Sequence, residues 1–111
     1  MSFPDDVNGD VFRRMEASAF DFSRPHNVDF FAIFPTLREA NVVAKQFIAD
    51  HNAGEPLVSV KTRSSENGGT ELMVVKSMLV THENVTNFEN LLAQRVAQHD
   101  GYVDGWGVMQ E

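Results

Sequence analysis

Apolar residues recur along this chain at two spacings, and the alternation between them predicts its elements. Val7, Val11, Phe12 and Met15 keep the spacing of a helix stripe, so a first helix is expected over about residues 5–18, with Asp5 and Asp6 near the positive end of its dipole. Either Asn8 or Asp10 could instead cap it, which shortens it by a turn. Val28 to Phe34 is apolar on both faces except at Asp29, the mark of a central strand, and Pro35 ends it. Thr36-Leu37-Arg38-Glu39 has the capping-box pattern, and Leu37, Ala40, Ala44, Phe47 and Ile48 form the stripe of a helix ending near Asn52 or Gly54. Leu57 to Thr62 and Leu72 to Val80 are rich in β-formers, and the Asn67-Gly68 between them signals an antiparallel hairpin. Another helix is expected from about Thr81 to His99 on Val85, Phe88, Leu92 and Val96, with Gly101 as its stop. Tyr102 to Met109 reads as the last strand.

The order is a helix followed by β-α-β-β-α-β. This is the split βαβ, or ferredoxin-like, arrangement: an α+β sandwich with a four-stranded antiparallel sheet, both core helices on one face, and an additional N-terminal helix. A single domain is expected over residues 1–111, with the core over about 28–109. The first and third strands are central in this layout, which agrees with their being the most apolar runs.

A two-residue turn at Asn67-Gly68 or Gly68-Gly69 would put Val58, Val60 and Thr62 on one face with Met73, Val75, Ser77 and Leu79, packed on the helices. The opposite face would then gather Lys61 and Arg63 with Leu72, Val74, Lys76 and Met78. That mixed apolar and basic face is the candidate docking surface for an acidic or amphipathic partner; the alternative is a solvated face whose cations snorkel over aliphatic neighbours. In the last strand, Gly105 and Gly107 strip one face of side chains, which suggests close approach of another element, while Tyr102, Asp104 and Trp106 would line the other. Packing is the favoured role for that segment.

Composition narrows the function. The chain has 111 residues, a formal net charge of -7 and no cysteine. Such acidity repels phosphate backbones and would steer a basic protein partner, so direct nucleic-acid binding is not expected. Without cysteine there is no disulfide framework, thiolate nucleophile or thiolate metal site. No signal or membrane-spanning segment is read, so a cytoplasmic protein is expected. His26, His51, His82 and His99 lack metal-ligand spacing. Asp6, Asn8 and Asp10 alternate as in a calcium loop, but Gly9 is misplaced and Ala17 stands where the closing glutamate belongs. No nucleophile elbow or phosphate loop is found, and no metal or cofactor is expected.

Several segments occur in a telling order: Asp6-Val7-Asn8-Gly9-Asp10-Val11-Phe12-Arg13-Arg14-Met15, Ser23-Arg24-Pro25 followed by Val28-Asp29-Phe30-Phe31, Met78 before the last helix, and Asp104-Gly105-Trp106-Gly107. Together they resemble the family called regulator of ribonuclease E activity B, or ribonuclease E inhibitor B, over nearly the whole chain. The terminal Asp104-Gly105-Trp106-Gly107 is the most specific piece. The resemblance implies a ferredoxin-like sandwich without catalysis or cofactor, acting as a protein inhibitor. In the family's best-known members it binds the C-terminal scaffold region of ribonuclease E and alters RNA turnover. The expected function is therefore that of a non-enzymatic bacterial regulator with a protein partner, present as a monomer or weak homodimer. The chain stops soon after Trp106, without the long acidic tail of those members, so fold carries over more directly than target. The alternative reading is a small-molecule-binding or self-associating module.

Overall fold

Strand β1 (Pro25–Phe34) runs through the middle of the sheet because its alternate side chains are apolar: Val28, Phe30, Ala32 and Phe34 are all at most 1% exposed. It starts at Pro25 rather than Val28, since His26 and Asn27 already lie opposite Met78 and Ser77 in the ladder. The structure is a computed structural model and describes residues 7–17, 20–65 and 68–108. The expected contributions of Asp5, Asp6, Asn67 and Met109 lie outside those residues.

The elements follow in the expected order. Helix α1 (Val7–Ala17) precedes β1; helix α2 (Leu37–Asn52), strands β2 (Ser59–Ser64) and β3 (Thr70–Leu79), helix α3 (His82–Ala97) and strand β4 (Tyr102–Val108) come after it. The sheet is antiparallel with order β2-β3-β1-β4, so the two most apolar strands are central, as the split βαβ order requires. Helix α2 packs on β2 and β3, helix α3 on β4 and β1, and α1 against α3.

The core lies between the sheet and this helix layer. Phe12, Phe30, Phe34, Phe47, Leu72 and Leu92 are its largest fully buried side chains, and burying each is worth about 1.5–3 kcal/mol. Helix α3 uses the expected stripe of Val85, Phe88, Leu92 and Val96. Helix α2 does not: it buries Ala40, Val43, Ala44 and Phe47, whereas Leu37 and Ile48 are exposed. Its buried face is thus rotated towards Val43, because only that face meets β2 and β3.

The helix ends also differ in detail. Thr81 caps α3, its hydroxyl oxygen accepting the Asn84 N–H at 3.0 Å. At α2 the Thr36 hydroxyl instead donates to the Glu39 carboxylate, and this holds the Glu39 carboxyl below the usual glutamate value. The left-handed residue after α3 is Asp100, with φ 62°, and not the expected Gly101. Gly101 has another duty: a Cβ there would lie 2.6 Å from the Phe34 ring.

Two expectations follow. Gly101→Ala drives a methyl group into a fully buried phenylalanine and lowers stability by about 1–3 kcal/mol, read from urea denaturation. Because the Glu39 pKa is depressed in the folded state, its contribution is complete above the usual glutamate value and is lost as pH falls through the lower folded one. The first turn of α2 should therefore fray in that acidic range, and Glu39→Gln, which removes the carboxylate's titration, should abolish that pH dependence in amide-exchange measurements.

Candidate functional site

Strand register decides where the candidate residues point. Ser59 pairs with Val75, Lys61 with Met73, Thr62 with Leu72 and Ser64 with Thr70, so the connecting loop is residues 65–69. A loop of odd length pairs residues of like parity, where the expected two-residue turn would pair odd with even. The expected face therefore divides. Leu72 and Val74 are fully buried beneath the helices, and Lys76 and Met78 continue that inner row opposite Val28 and His26. Lys61 and Arg63 are exposed on the opposite face. The six residues do not share one surface, and Met73 and Val75 face away from the helices rather than towards them.

The outer face carries no described helix. Its centre is apolar, formed by Phe31 and Ile33 of β1 with Met73 and Val75 of β3, and Tyr102 stands 60% exposed beside Ile33 on β4. On β2, Arg63 is paired with Glu71 at 2.6 Å. Lys61 projects beside it with no ion-pair partner among the described residues. The sequence pattern of β1 already signalled this face, since Phe31 and Ile33 alternate with the core residues; the flipped register of β3 hid its other half.

The Asp104-Gly105-Trp106-Gly107 motif forms a bulge. Gly105 lies opposite Phe31 and Val103 opposite Ala32, which leaves Asp104 as an extra residue in β4, and Gly105 adopts φ 126° to accommodate it. The extra residue turns Trp106 inward while Tyr102 remains outward, so the two aromatics do not share the face assigned to them from alternation. Nor does another described element close on the glycines: among the described residues a Cβ at Gly105 or Gly107 meets no atom within 4 Å.

Turned inward, Trp106 joins α1 to the sheet. Its Nε1 donates to Asn8 Oδ1 at 2.9 Å, and its ring lies 5.6 Å from that of Phe12. Asn8 Nδ2 donates in turn to Glu89 Oε1 at 2.7 Å and Thr86 Oγ1 at 3.2 Å on α3. Asn8 therefore bridges β4 and α3 from inside α1, rather than capping that helix. In this arrangement Trp106 packs against Phe12 instead of standing on the outer face.

A cleft of about 660 Å³ opens between α2 and α3. Its apolar lining includes Phe47, Leu57, Met78 and Phe88, with Lys76 and Arg95 among them. The Arg95 guanidinium lies 4.6 Å from the Phe47 ring centre, and its Nη1 is 2.7 Å from Asp50 Oδ2, close enough for an ion pair though not aligned as a hydrogen bond. Sequence reading passed over this cleft. Arg95, set between Leu92 and Val96 on the apolar side of α3, was the available signal. His51 serves local structure: its Nδ1 accepts the Leu57 N–H at 3.0 Å and so closes the connection between α2 and β2. Among the described residues no group of three or more His, Asp or Glu could hold a metal ion, and no helix is long and apolar enough to cross a membrane.

Fold and surfaces define an α+β sandwich with one open sheet face, one interhelical cleft and a helix clamped on by a tryptophan. The model of the family described as Regulator of ribonuclease activity B matches residues 5–108, nearly the whole chain, and the chain belongs to that family. The family is described as one that regulates ribonuclease activity. No curated protein matches the chain.

The clamp has a measurable consequence. Trp106→Phe keeps most of the ring packing but leaves Asn8 Oδ1 without its donor, at a cost of about 1 kcal/mol. Combined with Asn8→Ala in a double-mutant cycle by urea denaturation, it should show a coupling of about 0.5–1 kcal/mol.

Proposed function

We propose that this protein is a non-enzymatic cytoplasmic regulator of RNA turnover that acts by binding a protein partner, and that the partner is ribonuclease E through its C-terminal scaffold region. Membership of the ribonuclease-regulator family over residues 5–108 is the observation that carries this reading. The acidic charge of -7 supports a protein rather than an RNA partner, since phosphate backbones are repelled.

The docking surface in this reading is the open sheet face. Phe31, Ile33, Met73 and Tyr102 offer apolar contact there, and Lys61 offers a cation not committed to any described carboxylate. An amphipathic segment with an acidic residue would complement both. Leu72 and Val74 take no part, because they are fully buried in the core.

Biolayer interferometry with purified ribonuclease E and with its isolated scaffold region tests the proposal. Both should bind the wild-type chain. Lys61→Glu with Tyr102→Ala should weaken binding by about tenfold or more, about 1.4 kcal/mol, with the circular dichroism spectrum unchanged. Trp106→Phe, which alters the clamp on the other side of the sheet, should bind like wild type if its fold is retained. Absence of any complex with ribonuclease E would reject that partner, and binding indifferent to Lys61 and Tyr102 would reject the face.

A further inference from the structure

Lys76 stands on the wrong side of the sheet for a lysine. It lies opposite Val28 in the inner row, next along that row from Val74, and both valines are fully buried. Lysine at such a position usually extends its ammonium to water or pairs it with a carboxylate. Here Nζ lies 5.9 Å from the centre of the Phe88 ring and makes one long hydrogen bond, 3.4 Å, to the Pro56 carbonyl. No described carboxylate pairs with it. An ammonium carries three donors, so most of its capacity remains open to solvent and to the cleft that it lines.

The surrounding groups narrow what would satisfy it. Asp50 is engaged by Arg95 at 2.7 Å. Glu55, the other carboxylate of the cleft, is exposed at its edge and makes no ion pair with a described residue. The rest of the lining is mostly aromatic and aliphatic, with the amides of Asn84 and Asn87 among it. A cleft of about 660 Å³ lies within the range of small-molecule sites, which run from about 300 to 1,000 Å³.

We infer that the α2–α3 cleft binds a small amphiphilic monocarboxylate, whose carboxylate accepts from Lys76 Nζ while its apolar body lies against Phe47, Leu57, Met78 and Phe88. Lys76, which has no carboxylate partner among the described residues, calls for one negative charge at its own position, and the mostly apolar walls call for a hydrocarbon or aryl body. This site lies on the opposite side of the sheet from the face proposed for the protein partner, and it stands whether or not that partner is correct.

Three probes with one body and different heads test it: 4-phenylbutyrate, 4-phenylbutanamide and 4-phenylbutylamine, titrated into the full chain by calorimetry and by amide and methyl NMR. The acid should bind about tenfold tighter than the amide, the amine should bind weakest, and shifts should centre on Leu57, Met78 and Phe88. Lys76→Met, which keeps an unbranched side chain, should abolish the preference for acid over amide while the amide still binds. The inference is overturned if no probe shifts the cleft signals, if the amine binds as well as the acid, or if Lys76→Met leaves the preference intact. Should that variant fail to fold, the head-group series on the wild-type chain decides alone.

Discussion

The indole N–H of Trp106 reaches Asn8 because β4 carries one residue more than the stretch of β1 beside it, and the placement of the N-terminal helix depends on that bulge. Without Asp104 as the extra residue, alternation would leave Trp106 on the same face as Tyr102, away from the helices. With it, the ring meets Phe12, and the asparagine amide ties α1 to both β4 and α3. Gly105 makes the bulge affordable, since its φ of 126° would strain any residue with a Cβ. The Asp104-Gly105-Trp106-Gly107 segment is thus where β4 bulges and where its tryptophan meets α1.

A second parity effect shapes the surfaces. The loop at residues 65–69 sets β3 against β2 so that Leu72 and Val74 enter the core while Lys61 and Arg63 stay outside. It also carries Lys76 inward, to the floor of the cleft. One cation-bearing stretch is therefore divided between two surfaces: a broad open face suited to a protein segment, and a confined cleft suited to a small molecule. Their separation by the thickness of the sheet means that occupation of one need not obstruct the other.

Helices and strands were legible in the chain because their apolar spacings, 3.6 and 2 residues, are local properties. The stripe of α3 was correct residue by residue, and β1 is central as its apolar run implied, although it begins at Pro25 rather than Val28. The stripe of α2 was read less well, since Leu37 and Ile48 are apolar yet exposed, and only the position of the sheet selects Val43 over them. The candidate face failed for one reason: a hairpin loop's length, taken as two residues from its glycines, fixes the facing of every residue beyond it.

By itself, then, the sequence determined the order of elements, the split βαβ layout, the central strands and the family, because each rests on neighbours along the chain or on short motifs. Which residues meet was decided only in three dimensions. Trp106 and Asn8 are joined across almost the full length of the chain, Arg95 and Asp50 across two strands and the turns between them, and Lys76 finds no carboxylate at all among the described residues. Such pairings depend on register and on a bulge, and a shift of a single residue reverses the side on which a strand presents its side chains.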